Sequence, residues 1–443
     1  MRLSTHADNK LLLFFFGFTL AAWFVPGAGF LIYPGLSIYA LRGPKATIQA
    51  FTILMMMNLG HPVIFPKTNA ALRWMVLFAG LFGVLVNNYQ SQRYRTITPP
   101  LLLLASFFIV MLPASLTSSF APAISALKLL SFYVGAVTIL LAFQKTREFS
   151  EYWIVWFNSY FIYIIVASVV LLPLGMGYER TTHGYQGIFG HPQVLGSFAS
   201  IAAAWFSGRY LFERDRSWPY LILTLMSWFV VYYSGSRTGL FSALFGLFGA
   251  AGLYVVLLRP IPMFKELFRI GLVAFLLGAM VFAIAPGKII GGAQSFFQKG
   301  AESSSLNEAF EDSRGFLIQR SLQNFYDYPM LGIGLGIPSD YEYAGSRNVT
   351  RIMGVPVSAT VEKGFLPSAV LEEMGLVGAF FSLCLLLAFI LPVAGYGSFN
   401  MLWLLLTSFL INMGEAVFFS LGGKGMIVWL MFGLCYSLTQ KKD

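Results

Sequence analysis

Apolar runs separated by short polar segments fill most of the chain. "LLLFFFGFTLAAWF", "YLILTLMSWFVV" and "LFSALFGLFGAAGLYVVLL" are typical. Many of the runs reach the about 17–25 residues that carry a helix across a bilayer. They lack the alternation over about ten residues that marks a barrel strand. Backbone polar groups in lipid must be bonded within the segment, which leaves helices. The pattern predicts an all-α fold, a polytopic transmembrane helical bundle of about 12–14 spans. Candidate spans cover 11–25, 28–41, 47–66, 71–89, 99–114, 122–143, 153–174, 190–208, 219–234, 237–258, 269–286, 373–394, 397–417 and 421–438. The first two are short. As a re-entrant hairpin they would bring the count down to twelve. The first run is followed at once by another and has no clear small-residue cleavage site, so it reads as a retained span.

One stretch breaks the pattern. Residues 287–372 are polar and glycine-rich, and a connection this long is usually functional or disordered. They divide the chain into helices 1–11 (1–286), a large outer loop (287–372) and C-terminal helices (373–443). Within the loop, Phe316, Ile318, Leu322 and Phe325 recur at helical spacing. They predict an amphipathic helix lying on the membrane face or capping a cavity.

Charge sets the topology. Arg2, Lys10, Arg42, Lys45, Arg93, Arg95, Lys145, Arg147, Arg209, Arg214, Arg216, Arg259, Lys265, Arg269, Lys441 and Lys442 all fall on one side. The positive-inside rule makes that side cytoplasmic, with both termini on it and the long loop outside. With 57% hydrophobic and 11% charged residues, a soluble protein is excluded. The net charge of +10 then reflects topology and an anionic ligand, and no basic-aromatic pattern points to nucleic acid. Cys384 and Cys435 lie in apolar runs and read as small core residues.

Three outer stretches carry candidate chemistry. "GYERTTHGYQGIFGHPQVLG" holds Arg180, His183, His191 and Gln193. Arg180 alone could be an interfacial anchor, and His191 alone could cap the next helix. "GHP" also occurs at Gly60–Pro62, so the tripeptide by itself is not special. "SGSRTG" holds Arg237 between two apolar runs. Ser234, Ser236 and Thr238 can cap the helix that follows. Its free N–H groups and a forked guanidinium then make an anion site. The long loop holds Arg314, Arg320, Glu362 and Lys363, the last two readable as a simple charge pair. Arginines at headgroup depth suit a lipid-linked diphosphate.

"DSRGFLIQRSLQNFYDYPMLGIGLG" resembles the signature stretch of the O-antigen ligase and polysaccharide polymerase superfamily. "SR-T" at Ser236–Thr238, "ERTTHGYQGIFGHPQ" with Gln193 where asparagine is common, and "LEEMGLVG" are similar to its other motifs. The resemblance covers about residues 175–395. It implies a bacterial inner-membrane, inverting glycosyltransferase with its active face in the periplasm and no metal or other cofactor. The implied donor is an undecaprenyl-diphosphate-linked glycan. The implied acceptor is a growing glycan or a lipid A-core sugar, in a setting of membrane lipids and with room for a chain-length regulator. Arg237 and Arg314 would hold the diphosphate, with Arg180 assisting. His183, His191, Gln193, Arg320 and Lys363 would line the substrate site. The family's ligases carry a histidine shortly before the "E-x-G-L-x-G" stretch. No histidine follows His191 here, which leaves Glu362 as the nearest base and favours polymerase over ligase. A transporter or flippase for an anionic lipid is the alternative. A membrane scaffold is a third reading, but it leaves Arg237 without a purpose.

Overall fold

In the computed structural model, the described residues are 8–25, 28–65, 70–87, 98–179, 184–212, 217–257, 259–260, 315–340, 349–352, 355–359 and 363–439. They form α1 (Asn9–Phe24), α2 (Ala28–Ala40), α3 (Pro44–Leu59), α4 (Ala70–Val86), α5 (Pro99–Thr117), α6 (Pro122–Lys145) and α7 (Ser150–Val170). Then come α8 (Pro192–Phe212), α9 (Trp218–Tyr233), α10 (Arg237–Val256), α11 (Phe316–Asp327), α12 (Leu366–Tyr396), α13 (Phe399–Leu410) and α14 (Gly425–Thr439). Helices thus stand where thirteen of the candidate spans were expected, and the span at 269–286 lies outside the described residues. One feature departs from an all-α chain. β1 (Val349–Ile352) and β2 (Val355–Ala359) pair antiparallel, with an irregularity between Thr350 and Arg351. The hairpin packs against α4 and α6.

Among the described residues, five helices are long and apolar enough to cross a membrane: Pro99–Thr117, Pro122–Lys145, Arg147–Val170, Arg237–Val256 and Leu366–Tyr396. Six shorter apolar helices accompany them. Several long apolar helices in one bundle indicate a multi-pass membrane protein. The distribution of side chains agrees. Leu376, Phe380, Leu383, Leu387 and Leu391 make an exposed apolar stripe along α12. Two of the interior helices are less apolar. α8, "PQVLGSFASIAAAWFSGRYLF", is buried on nearly every side, and so is α3 from Pro44 to Met57. Lipid tails are as apolar as leucine, so helices in a membrane are held by close packing and interhelical hydrogen bonds rather than by water exclusion. Small residues serve that end. A Cβ on Gly246 of α10 would lie 2.5 Å from Thr407 Oγ1 of α13.

α1 and α2 have different neighbours. Phe15 of α1 packs on Trp156, Tyr160 and Tyr163 of α7. On α2, Tyr33 donates to Asn58 Oδ1 of α3 at 2.8 Å and Tyr39 donates to Gln49 Oε1 at 2.6 Å. They are two separately packed helices.

The bundle has two ends. At the upper end α3, α5, α7, α9 and α13 finish, and α4, α6, α8, α10, α12 and α14 begin. Backbone bonds from His61 N to Ile188 O, Phe120 N to Ile333 O and Ala416 N to Lys363 O tie that end together. At the lower end, Asn87 donates to Leu41 O and Lys145 donates to Val84 O.

Candidate functional site

The upper end gathers the polar sequence stretches. Gly235 sits at φ 65°, a left-handed turn open to glycine, and reverses the chain after α9. Ser234 Oγ accepts from Ser236 N at 3.3 Å, and Ser236 Oγ accepts from Gly239 N at 3.2 Å. Ser236 is therefore the N-cap of α10 and Arg237 its first residue. α8 and α10 both run antiparallel to α9, so they are parallel to each other. They cross closely because both carry glycine: a Cβ on Gly239 would lie 2.5 Å from Gly196 O. Two helix N-termini thus lie side by side. Each carries about half a positive charge. Half-buried Arg237 adds a full charge at the same place.

The start of α8 is built with equal care. His191 Nδ1 accepts from Gln193 N at 3.2 Å, and His191 O accepts from Val194 N and Leu195 N. The capping role foreseen for His191 is present. A neutral imidazole that accepts at Nδ1 carries its proton on Nε2. That atom lies 3.8 Å from Glu179 Oε1. The second "GHP" tripeptide is the structural partner of the first. Gly60 pairs with Phe189, Gly190 N donates to Leu59 O at 3.0 Å, and His61 Nδ1 accepts from Val63 N at 3.2 Å. Two His-Pro turns therefore lie back to back and lock the end of α3 to the start of α8. Tyr178 and Tyr185 pair antiparallel, and both rings meet Tyr233, four residues before Arg237. Tyr178 Oη lies 3.2 Å from Tyr233 Oη. Tyr185 donates to Ser168 O. Burial, with smaller contributions from Tyr178 and Tyr233, pushes its hydroxyl well above the usual tyrosine range, so it stays a neutral donor.

Next to this stands a broken helix. α12 is interrupted at Gly375 (φ 61°, ψ −161°). The segment 329–334 fills the break: Ile333 N donates to Glu372 O, Gly334 N to Glu373 O, Leu376 N to Pro329 O and Val377 N to Met330 O. This accounts for the glycines of "GIGLG". Gly332, Gly334 and Gly336 all have positive φ. A Cβ on Gly332 would lie 2.5 Å from Glu372 O, and one on Gly336 would lie 2.8 Å from Lys128 Cγ. Glu372 is fully buried at the break. Its carboxylate accepts from Ser321 Oγ at 2.7 Å and Asn324 Nδ2 at 2.6 Å, and lies 2.7 Å from Lys363 Nζ. Lys363 Nζ is also 3.5 Å from Glu373 Oε1.

α11 is the amphipathic helix that the spacing predicts, but its most buried positions are Ser321 and Asn324 rather than Leu322 and Phe325. The reason is Glu372. A buried carboxylate must be satisfied, and α11 turns its polar donors toward it.

Residues 411–424 join the two regions. Gly414 lies against Thr238, since a Cβ there would meet Thr238 Oγ1. Ala416 N donates to Lys363 O at 2.9 Å, and Arg73 Nη1 donates to Gly422 O at 3.1 Å. Lys424 forms an ion pair with Glu415.

Of the expected site residues, the structure brings Arg237, His191 and Gln193 together. Lys363 stands at the adjoining break, its ammonium enclosed by two carboxylates. Arg320 Nε is 2.8 Å from Asp340 Oδ1 with both side chains well exposed, a pair worth about 0–1 kcal/mol. Arg180, His183, Arg314 and Glu362 lie outside the described residues. Sequence reasoning did not name Glu179, Arg73, Lys128, Glu372, Glu373, Glu415 or Lys424 as site residues. For most of them the available signal was an ionisable residue within or beside an apolar run. Among the described residues, no three His, Cys, Asp or Glu side chains gather as metal ligands. Compared with known proteins, the chain matches no family model and no curated protein.

Proposed function

We propose that this protein is a membrane glycosyltransferase that polymerises glycan repeat units carried on undecaprenyl diphosphate. The upper end is its active face and points to the periplasm of a bacterial inner membrane. The lower end carries Arg42, Lys45, Lys145, Arg147, Arg209 and Arg259 and lies in the cytoplasm, following the positive-inside rule. One observation carries the reading. Arg237 is held at the first position of α10, beside the N-terminus of α8, where its charge opposes two helix dipoles. An anion at that point offsets the conflict by meeting the positive ends of both dipoles and the guanidinium charge together. A diphosphate at headgroup depth is such an anion, with its lipid tail outside the bundle.

In glycosyl transfer, negative charge develops on the departing diphosphate. Fixed donors aimed at that charge are often the largest single contribution to catalysis. Arg237, with Arg314 and Arg180, serves this role, and His191, His183, Gln193 and Arg320 line the way in. Lys363 acts through Glu372, which fixes α11. Ligation of a glycan to lipid A-core uses the same donor site with a different acceptor. A transporter of an anionic lipid is the second reading, favoured by the discontinuous α12 with its buried Glu372 and Lys363.

The test uses purified protein in lipid with an undecaprenyl-diphosphate-linked repeat unit, with and without lipid A-core. A ladder of lengthening glycans from donor alone, lost in Arg237→Ala, supports the polymerase. A single transfer that requires the core acceptor makes the protein a ligase. Unconsumed donor moves the assignment to transport.

A further inference from the structure

We propose that Gly414 is a positioning residue for Arg237, holding the start of α10 where a diphosphate reaches the guanidinium; this rests on the diphosphate reading above. α10 is gripped from two sides. On one side Gly239 packs on the backbone of Gly196 in α8. On the other, α13 runs antiparallel to α10 and stays in contact along it. Trp403 Nε1 donates to Ala243 O at 2.9 Å, and Gly246 packs on Thr407. Beyond the end of α13, Gly414 meets Thr238, the residue after Arg237.

Space, not backbone conformation, makes residue 414 a glycine. Its φ of −117° is negative, a backbone open to residues with side chains. A Cβ there would meet Thr238 Oγ1 and lie 2.6 Å from Thr238 Cβ, so the root of the threonine side chain would have to move and not only its tip. Thr238 does not move alone. It is the second residue of α10, and its carbonyl accepts from Ser242 Oγ at 2.7 Å. A shift at Thr238 is carried to Arg237.

The opposing surface is equally fixed. Asn412 is fully buried and closes the turn after α13: its Nδ2 donates to Phe409 O at 2.8 Å, and its Oδ1 accepts from Val417 N at 3.1 Å. Ala416 N donates to Lys363 O at 2.9 Å and ties the same turn to the residue that holds the buried ion pair. Gly414 is thus a fixed stop on which the start of α10 rests. A guanidinium grips phosphate through two parallel bonds, which makes its hold sensitive to placement.

The experiment measures undecaprenyl diphosphate binding, donor turnover and thermal midpoint in the same lipid preparation. It compares wild type, Gly414→Ala, Gly246→Ala and Arg237→Ala with two double variants, Gly414→Ala/Thr238→Gly and Gly414→Ala/Arg237→Ala. Gly414→Ala should bind the lipid about tenfold more weakly and turn over donor about 10–100-fold more slowly. Gly246→Ala crowds the same pair of helices about two turns further along α10, with a Cβ 2.5 Å from Thr407 Oγ1. It should lower the midpoint by a similar amount and leave affinity unchanged. Thr238→Gly removes the atoms that the new Cβ meets, and should restore most of the affinity lost in Gly414→Ala. With Arg237 already replaced by alanine, Gly414→Ala should weaken binding no further, because the group that it displaces is gone. Wild-type affinity in Gly414→Ala, a matching loss in Gly246→Ala, or an equal loss with and without Arg237 overturns the assignment and leaves the diphosphate reading intact. If Gly414→Ala does not fold, Thr238→Ala takes its place. It opens the contact instead of crowding it and should also weaken binding, so unchanged affinity overturns the assignment equally. Wild type that binds the lipid no better than Arg237→Ala contradicts both readings together.

Discussion

The two ends of the bundle hold cations in opposite ways. At the lower end they meet aromatic faces and helix C-termini. Lys45 lies 3.6 Å from the Tyr152 ring centroid, Arg209 lies 5.0 Å from that of Trp205, and Arg259 lies 4.5 Å from that of Tyr254. Lys145 donates to Val84 O in the last turn of α4, and Arg259 donates to Ala394 O and Gly397 O at the end of α12. Each arrangement is favourable by itself: a cation at a helix C-terminus gains about 0.3–1 kcal/mol. At the upper end, Lys363 and Lys424 are enclosed by carboxylates, and Arg237 opens a helix. Ion pairs removed from solvent do not repay their desolvation cheaply, and a cation at a helix N-terminus is disfavoured. The lower end is arranged for anchoring in a membrane interface. The upper end instead holds buried ion pairs and a cation at a helix N-terminus, both at a cost in stability.

Breaking the buried knot should have the largest effect. Glu372→Leu leaves the Lys363 ammonium without its closest carboxylate and strands Ser321 and Asn324. A loss of about 3–5 kcal/mol is expected, read as a lowered thermal midpoint in detergent. Adding Lys363→Met should recover only part of it, since Glu373 then loses the ammonium that it contacts. Arg237→Ala should have the opposite profile. Turnover falls about 10²–10³-fold, as when a fixed donor to a developing anion is removed. Stability should change by less than about 1 kcal/mol, because relief of the cation at a helix N-terminus offsets the contacts that the side chain loses. Gly332→Ala places a side chain at φ 67° and a Cβ against the Glu372 carbonyl, and should lower stability by at least about 1–2 kcal/mol. Lys145→Ala at the lower end should cost about 0.3–1 kcal/mol and leave turnover unchanged. If Lys145→Ala and Arg237→Ala lower turnover equally, the contrast between the ends is lost.

Much of this was legible in the chain. Hydrophobic runs give the helices, because a run in lipid has no other backbone solution, and "SGSRTG" shows its cap and its arginine directly. What stayed hidden depends on contacts distant in sequence. The pairing of Gly60–Pro62 with Gly190–Pro192 turns a repeated tripeptide from an argument against significance into a joint between α3 and α8. The break in α12 is invisible in "LEEMGLVG" because the groups that satisfy it come from Pro329–Gly334. α11 was oriented by its apolar residues, whereas the polar pull of Glu372 sets which face is buried. A hairpin at 349–359 escaped notice because the span pattern directs attention to helices.

The central claim is that the Ser234–Arg237 turn holds a diphosphate. The direct test is equilibrium binding of undecaprenyl diphosphate to the protein in lipid nanodiscs, for wild type, Arg237→Ala and Arg237→Lys, at low and high salt. The account predicts binding that weakens with salt, at least tenfold weaker in Arg237→Ala, and only partly restored by lysine, which keeps the charge and loses the fork. Equal affinity in wild type and Arg237→Ala would contradict it.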